Sequence, residues 1–251
     1  MITYTAVSKT YPKEFGSSAN LAMENLSFDL NQSETLGLIG ANGAGKSTCI
    51  HLLMDFIRPD SGEIRILGQP VNNANLRKSI GYLPEVASFP ANLTVLDMLR
   101  FAGSSCGLSR SAIKQRSESL LRELELWQVR KRPLRSYSKG MQQRASFAVA
   151  LIGDPELLIL DEPMSGLDPV GREKIISLIL RLKQQGKTIL FCSHILEDVD
   201  RLADRLLVLH HGEKLFDGTV PQFCTQQQVT TITEAFLAII GNNNGDGDAH
   251  V

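Results

Sequence analysis

The 251-residue chain lacks a long apolar run, an excess of charge of either sign, and any paired-cysteine motif. Each absence removes a class of protein. No stretch approaches the roughly 18 consecutive apolar residues of a membrane span. Any work at a membrane is therefore expected to be peripheral and to need a partner that crosses. The formal net charge is −1, which argues against bulk nucleic-acid binding, an activity that wants a basic excess. A local basic patch stays compatible with that balance. The cysteines Cys49, Cys106, Cys192 and Cys224 form no C-x-x-C pair. They are expected to be small buried hydrophobes rather than zinc ligands or disulfides, and reduced thiols fit a cytoplasmic location. Met1 to Lys9 shows no basic segment leading into an apolar stretch, so no secretory signal is expected. There is no internal repeat. What remains is an ordinary globular composition, 43% apolar and 21% charged, long enough for one large or two small domains with a sizeable core.

The most informative stretch is Leu36 to Thr48. A short apolar run, Leu36 to Ile39, predicts a buried strand. It leads into Gly40-Ala41-Asn42-Gly43-Ala44-Gly45-Lys46-Ser47, which fits G-x-x-x-x-G-K-S/T, and Thr48 to Phe56 predicts a helix. The chemistry needs this order. Glycines let the backbone curl so that successive N–H groups point inward as an anion-binding nest. The helix start adds its positive dipole end. Lys46 can reach the outer phosphates of a nucleotide, and the Ser47 hydroxyl can sit on Mg²⁺.

Strands are expected at residues 2–7, with Ile2, Tyr4 and Ala6 on one face, and at 22–30, with Leu26, Phe28 and Leu30. They are read as an antiparallel edge beside the phosphate-loop strand. The segment Tyr11 to Asn20 between them is turn-rich. Tyr11 could stack on a purine base or simply pack on that turn. Further strands are expected at Glu63 to Leu67 and Gly81 to Leu83, before Pro84-Glu85 breaks the pattern. Helical periodicity then runs from Thr94, a helix cap, to about Ala150. Leu96, Leu99 and Phe101 mark one helix. Ile113, Leu120, Leu121 and Leu124 mark a second, with Lys114, Arg116, Glu118 and Arg122 as its solvated side. Alternation returns with strands at Leu157 to Leu160, Thr188 to Cys192 and Leu206 to Leu209, and helices at Val170 to Gln184 and Ile195 to Leu202. Ile232, Ala235, Phe236 and Ile239 have helical spacing. This order implies an α/β fold with a mostly parallel sheet. Ligands of such sheets sit at the carboxyl ends of the strands, where the Gly40 loop, Asp161-Glu162 and His194 all fall.

Leu157 to Leu160 ends in Asp161-Glu162-Pro163. An aspartate there can orient Mg²⁺ opposite Ser47. A carboxylate one residue on can polarise an attacking water as a general base, an effect of about 10²–10⁴ in rate. With these motifs the chain resembles the nucleotide-binding ATPase subunits of ABC transporters from Met1 to about Ile240. Gly40 to Ser47 resembles the Walker A loop, and Leu157 to Glu162 the Walker B strand with its catalytic glutamate. Ser165-Gly166-Leu167-Asp168 is similar to the D-loop and Ser193-His194 to the switch-histidine loop. Tyr11 falls where the family has its adenine-stacking aromatic. Two motifs depart from the commonest pattern. Tyr137-Ser138-Lys139-Gly140-Met141 stands where Leu-Ser-Gly-Gly-Gln is usual, which brings Lys139 within possible reach of a γ-phosphate. Glu85 stands where a glutamine is usual and can still offer oxygen to Mg²⁺ or its waters. Both variants, and the Glu234-Ala-Phe-Leu237 helix, resemble the branch serving drug-, antibiotic- and lipid-type exporters.

The resemblance implies a P-loop NTPase fold with a mostly parallel core sheet (1–87 and 151–220). It also implies an N-terminal antiparallel β edge, an all-helical insertion (about 88–150) and a C-terminal helix (about 230–240), with a disordered tail over 241–251. It implies ATP and Mg²⁺ as ligands, and a head-to-tail dimer with itself or a homologous ATPase subunit. Ser138, Lys139 and Gly140 of one subunit would face the nucleotide on the other, with Asp168 at the same junction. A separate integral membrane permease would take up the motion, through the helical insertion and the Glu85 to Asn92 loop, whose Val86, Phe89 and Pro90 are expected either as exposed apolar contacts or as part of the insertion's own core. The location implied is peripheral, on the cytoplasmic face of the cell membrane, and no nucleic acid is expected. Two alternatives are a non-transport ABC ATPase of DNA repair or translation and a small-molecule kinase. The first would carry long coiled coils or a second ATPase half. The second would lack the Ser138 segment and His194.

Overall fold

The computed structural model describes residues 1–12, 20–86 and 88–244. In chain order the strands and helices are β1 (Ile2–Tyr11), β2 (Asn20–Leu30), β3 (Thr35–Ile39), α1 (Lys46–Leu53), β4 (Ser61–Ile66), β5 (Gln69–Pro70), β6 (Ile80–Leu83), α2 (Val95–Ser105), α3 (Arg110–Glu123), α4 (Lys139–Leu151), β7 (Leu157–Asp161), α5 (Pro169–Gln184), β8 (Thr188–Cys192), α6 (Leu196–Leu202), β9 (Arg205–His210), β10 (Glu213–Gly218), α7 (Val220–Gln226) and α8 (Ile232–Asn244). They fall into two compact units, residues 1–72 with 190 onward, and residues 73–189. No described helix is long and apolar enough to cross a membrane.

The first unit holds an antiparallel sheet in the order β2-β1-β4-β5. Ile2 and Tyr4 are buried as their alternation predicts, and the Tyr4 ring stacks on Phe28 with centroids 4.5 Å apart. The alternation then slips. Ala6 is exposed with φ at 49°, the pairing shifts between Tyr4 and Val7, and Val7 takes the buried place expected for Ala6. A bulge of this kind inserts one residue and reverses the faces beyond it. The sheet is the expected N-terminal antiparallel edge, built as a sheet of its own whose described strands do not pair with the phosphate-loop strand. β3 pairs in parallel with β9, and the local order is β10-β9-β3-β8. Every residue of β3 is buried, as a strand covered on both faces requires.

β10 was not expected. It follows β9 through His211-Gly212, both with positive φ, a two-residue turn whose twist suits a hairpin. α8 carries Ile232, Ala235 and Ile239 on its buried side and runs on to Asn244, so Gly241 to Asn244 of the expected tail are helical. The rest of that tail, and the expected turn over 13–19, lie outside the described residues. All four cysteines are free thiols; Cys49 and Cys192 are buried, Cys106 and Cys224 partly so. Burial pushes the Cys49 thiol up to about 12.

In the second unit β6 and β7 pair in parallel, so the core strands are mostly parallel. Thr94 caps α2, accepting from Asp97 N while the Asp97 carboxylate accepts from Thr94 N, a reciprocal capping box. Ser109 caps α3 in the same way from Ala112 N. Ile113, Leu121 and Leu124 form the buried stripe expected of α3, and Leu120 is half-buried. The expected helix through Leu96, Leu99 and Phe101 is α2, with Leu99 buried and Phe101 72% exposed, because two residues turn a helix by roughly 200°. One expectation fails here. Arg116, read as solvated, instead donates from Nε to Ile152 O at 2.7 Å and from a terminal nitrogen to Leu151 O at 3.2 Å. The last carbonyls of a helix have no internal partner, and a cation there satisfies both their geometry and the dipole.

Candidate functional site

The first unit contributes a phosphate-binding loop. β3 ends at Ile39, the loop occupies 40–45, and α1 starts at Lys46. Gly45 precedes the helix in the left-handed region, φ 104°, and supplies no side-chain cap. The leading N–H groups of α1 are thereby left uncapped by any side chain, as an anion site requires. A Cβ at residue 45 would lie 2.7 Å from Ala22 O, so the turn also depends on the close approach of β2. The hairpin after β9 braces the loop from another side: Gly212 N donates to Ala44 O at 3.1 Å, and Glu24 N to Gly212 O at 3.0 Å. Sequence reasoning missed this brace, although His211-Gly212 was a legible turn signal.

Within the loop, Lys46 Nζ donates to Gly40 O at 2.7 Å and to Ala41 O at 3.0 Å. Ala41, Asn42 and Gly43 are exposed, Ala44 is buried, Ser47 is exposed and Thr48 is buried. Tyr11, half-buried at the end of β1, places its hydroxyl 3.4 Å from Thr48 Oγ1. Tyr11 is thus held against the first turn of α1. His194 follows β8 and is exposed. The preceding Ser193 is buried, and its hydroxyl accepts from Ile195 N at 3.1 Å, which shapes the turn that presents the imidazole.

The second unit contributes the acids and the helix start of the Ser138 segment. Asp161 closes β7, 5% exposed, and Glu162 follows half-buried with φ at 47°. A non-glycine residue there carries backbone strain, a feature concentrated at functional sites. Ser138 is the N-cap of α4 and accepts from Met141 N at 3.3 Å. Asp168 is the N-cap of α5, accepting from Gly171 N at 2.7 Å with Pro169 at the first helical position. Glu85 is exposed just beyond β6. Two contacts join α4 to the turn that follows the acid pair. Gln143, buried on α4, donates to Pro163 O at 2.9 Å. The Lys139 side chain lies over Gly166, where a Cβ would stand 2.2 Å from Lys139 Cε. Gln143 was not singled out from sequence; a polar residue at an apolar position of α4 was the available signal. No group of three or more His, Cys, Asp or Glu able to hold a metal occurs among the described residues.

A buried strand, an uncapped glycine loop and a helix opening on lysine define a P-loop nucleotide-binding protein of α/β class. Residues 23–165 match the family model described as ABC transporter, and the chain belongs to that family. The match covers the phosphate loop, the Ser138 segment and the Asp161-Glu162 pair. An uncharacterized ABC transporter ATP-binding protein of Synechocystis is 42% identical over 219 residues, covering 86% of this chain and 62% of the relative. The chain thus spans less than two thirds of that relative. The Nod factor export ATP-binding protein I of Rhizobium sp. strain N33 is 41% identical over 209 residues, 82% of this chain and 68% of the relative. An ATP-binding cassette solved as a dimer in a post-hydrolysis state with ADP and Pi superposes with a TM-score of 0.80. It is 25% identical, with 87% of this chain and 98% of that chain covered.

Proposed function

We propose that this chain is the ATP-hydrolysing subunit of an exporter, working from the cytoplasmic face of the membrane through a separate permease. The observation that carries the reading is the uncapped start of α1, with Lys46 held across the mouth of its own loop. An uncapped helix N-terminus with a cation beside it forms a site for a polyphosphate. The similarity to an exporter's ATP-binding protein and to a dimeric cassette supports the wider reading.

The roles follow from chemistry. Tyr11 stacks on adenine. The N–H groups of 40–45 and Lys46 neutralise the phosphates, with Ser47 and Thr48 in the first turn behind them. The oxygens of Ser47, Asp161 and Glu85 suit Mg²⁺, a hard cation that takes oxygen ligands. Mg²⁺, when bound, offsets negative charge on the phosphates. Glu162 takes a proton from the attacking water, and His194 holds the γ-phosphate side of that water. Ser138, Lys139 and Gly140 act on the nucleotide of a second subunit, a copy or a homologue, placed head to tail. A lone phosphate loop leaves the γ-phosphate open to solvent, and a second helix start excludes water from it. ATP then bridges two subunits and hydrolysis removes the bridge. The helical segment over about 88–150 passes the motion to the permease. Val86 is 72% exposed, Pro90 is exposed and Phe89 half-buried, so this stretch offers apolar surface for the purpose.

Glu162→Gln tests the chemistry. It should retain ATP binding, accumulate as a dimer with Mg-ATP in size-exclusion light scattering, and lose about 10²–10⁴ in steady-state phosphate release. Near-normal turnover would remove Glu162 as the base. Copurification with a multi-span membrane protein tests the transport role.

A further inference from the structure

Between Glu125 and Asp154 the chain carries six basic residues and no acid, in a protein whose net charge is −1. Two of the six lie apart from the others: Arg144 pairs with Glu125 at 3.0 Å, and Lys139 lies over Gly166. The other four, Arg130, Lys131, Arg132 and Arg135, fall within six residues. The fold pins that segment along residues 91–94. Leu134 N donates to Leu93 O at 2.8 Å, Arg135 N to Ala91 O at 3.1 Å, and Thr94 bridges Pro133. Arg135 also reaches Asn92 Oδ1 at 3.2 Å. Beside it, the Trp127 ring lies under the Arg130 guanidinium at 3.8 Å and the Arg122 guanidinium at 4.8 Å. Lys131 and Arg132 are exposed and have no ion-pair partner among the described residues. Leu93, 40% exposed, is the apolar neighbour on the pinned strand of chain.

We infer that this surface docks on the anionic phospholipid headgroups of the bilayer. Phosphodiester groups match guanidinium forks. A cluster of about four to eight bases beside an interfacial tryptophan is the composition that anionic lipid surfaces attract. A single acidic site on a protein would want each cation immobilised. Lys131 and Arg132 are instead long, exposed and unpaired, which suits a diffuse anionic surface where the number of charges decides. The inference rests on the membrane-peripheral location proposed above, and it adds a lipid contact beside the stretch assigned there to the permease, since Arg135 is bonded to Ala91 and Asn92.

The test is cosedimentation of the full chain with mixed phosphatidylglycerol–phosphatidylcholine vesicles and with pure phosphatidylcholine vesicles, across a salt series. Binding should require the anionic lipid and fall as salt rises. Each charge is expected to contribute about fivefold in partition coefficient. Lys131→Glu with Arg132→Glu should therefore lose more than about tenfold, while circular dichroism and ATP turnover stay at wild-type levels. Arg110→Glu with Lys114→Glu, the same charge change on α3, should lose far less. Equal binding to both vesicle types, an unaffected Lys131/Arg132 variant, or equal losses in the two variants would overturn the inference. So would binding that appears only when permease is present in neutral vesicles, which would assign the patch to a protein partner. Intact ATP turnover alongside absent vesicle binding would overturn the lipid dock alone and leave the ATPase reading standing.

Discussion

Two helices of this protein begin beside glycines, and their first turns are finished in opposite ways. α1 opens after Gly45 with no side-chain cap, while α4 opens on Ser138, whose hydroxyl accepts from Met141 N. A capped helix start is content in water. One that no side chain caps keeps donors for something else. Under the proposed function, the difference separates a loop kept ready for phosphate from a segment that is self-sufficient until a second subunit arrives. Ser138 Oγ accepts in that cap, which leaves its O–H free to donate, so under the proposed role it can meet a phosphate without breaking the cap.

Substitutions can break or sharpen this contrast. The largest effect is expected at Lys46, the charge poised over the uncapped start. Lys46→Ala should weaken Mg-ATP binding by about 10–100-fold in isothermal titration, the worth of roughly one charge-assisted hydrogen bond. An unchanged dissociation constant would end the assignment of the loop. Next comes Gly45→Ala, which forces a side chain into φ 104° and toward Ala22 O. Strain of about 1–3 kcal/mol should appear as a lower urea midpoint. At the capped start the effects are smaller and divide by residue. Ser138→Ala should cost about 1 kcal/mol of stability and Ser138→Gly only a few tenths, yet both should impair the Mg-ATP dimer in light scattering. A glycine variant that dimerises normally would mean the hydroxyl serves only its own helix.

The smallest effect is a control away from both helix starts. Asp154 lies below the usual carboxylate range, first because Lys187 hydrogen-bonds to it at 2.8 Å, with Arg116 adding to the effect. A depressed folded-state value gives stability that is present above the unfolded value, about 3.9, and is lost as pH falls through the folded one. Wild type should therefore exceed Asp154→Asn in urea stability at neutral pH, with the gap closing in acid. The pair is partly exposed, so the gap will be modest.

Much of the fold could be read from residue order, because the loop, the acid pair and the strand ends are local patterns. β8 over Thr188–Cys192 and α5 over Pro169–Gln184 match their expected spans to within a residue. The departures are places where a neighbour in space outvotes the local pattern. Ala6 leaves its face because β1 bulges between two partners. Arg116 turns inward because the end of α4 needs a donor. Gln143 and Gly212 act on loops 20 or more residues away. The left-handed backbone of Glu162 has no signature in residue type at all.

That last feature sets a limit on what this protein can be. A left-handed conformation costs a side-chain-bearing residue about 1–2 kcal/mol that glycine would escape. If Glu162 is the base proposed above, the most durable form of the chain is not its active form, and a screen for heat resistance alone would drift toward an inert variant at position 162.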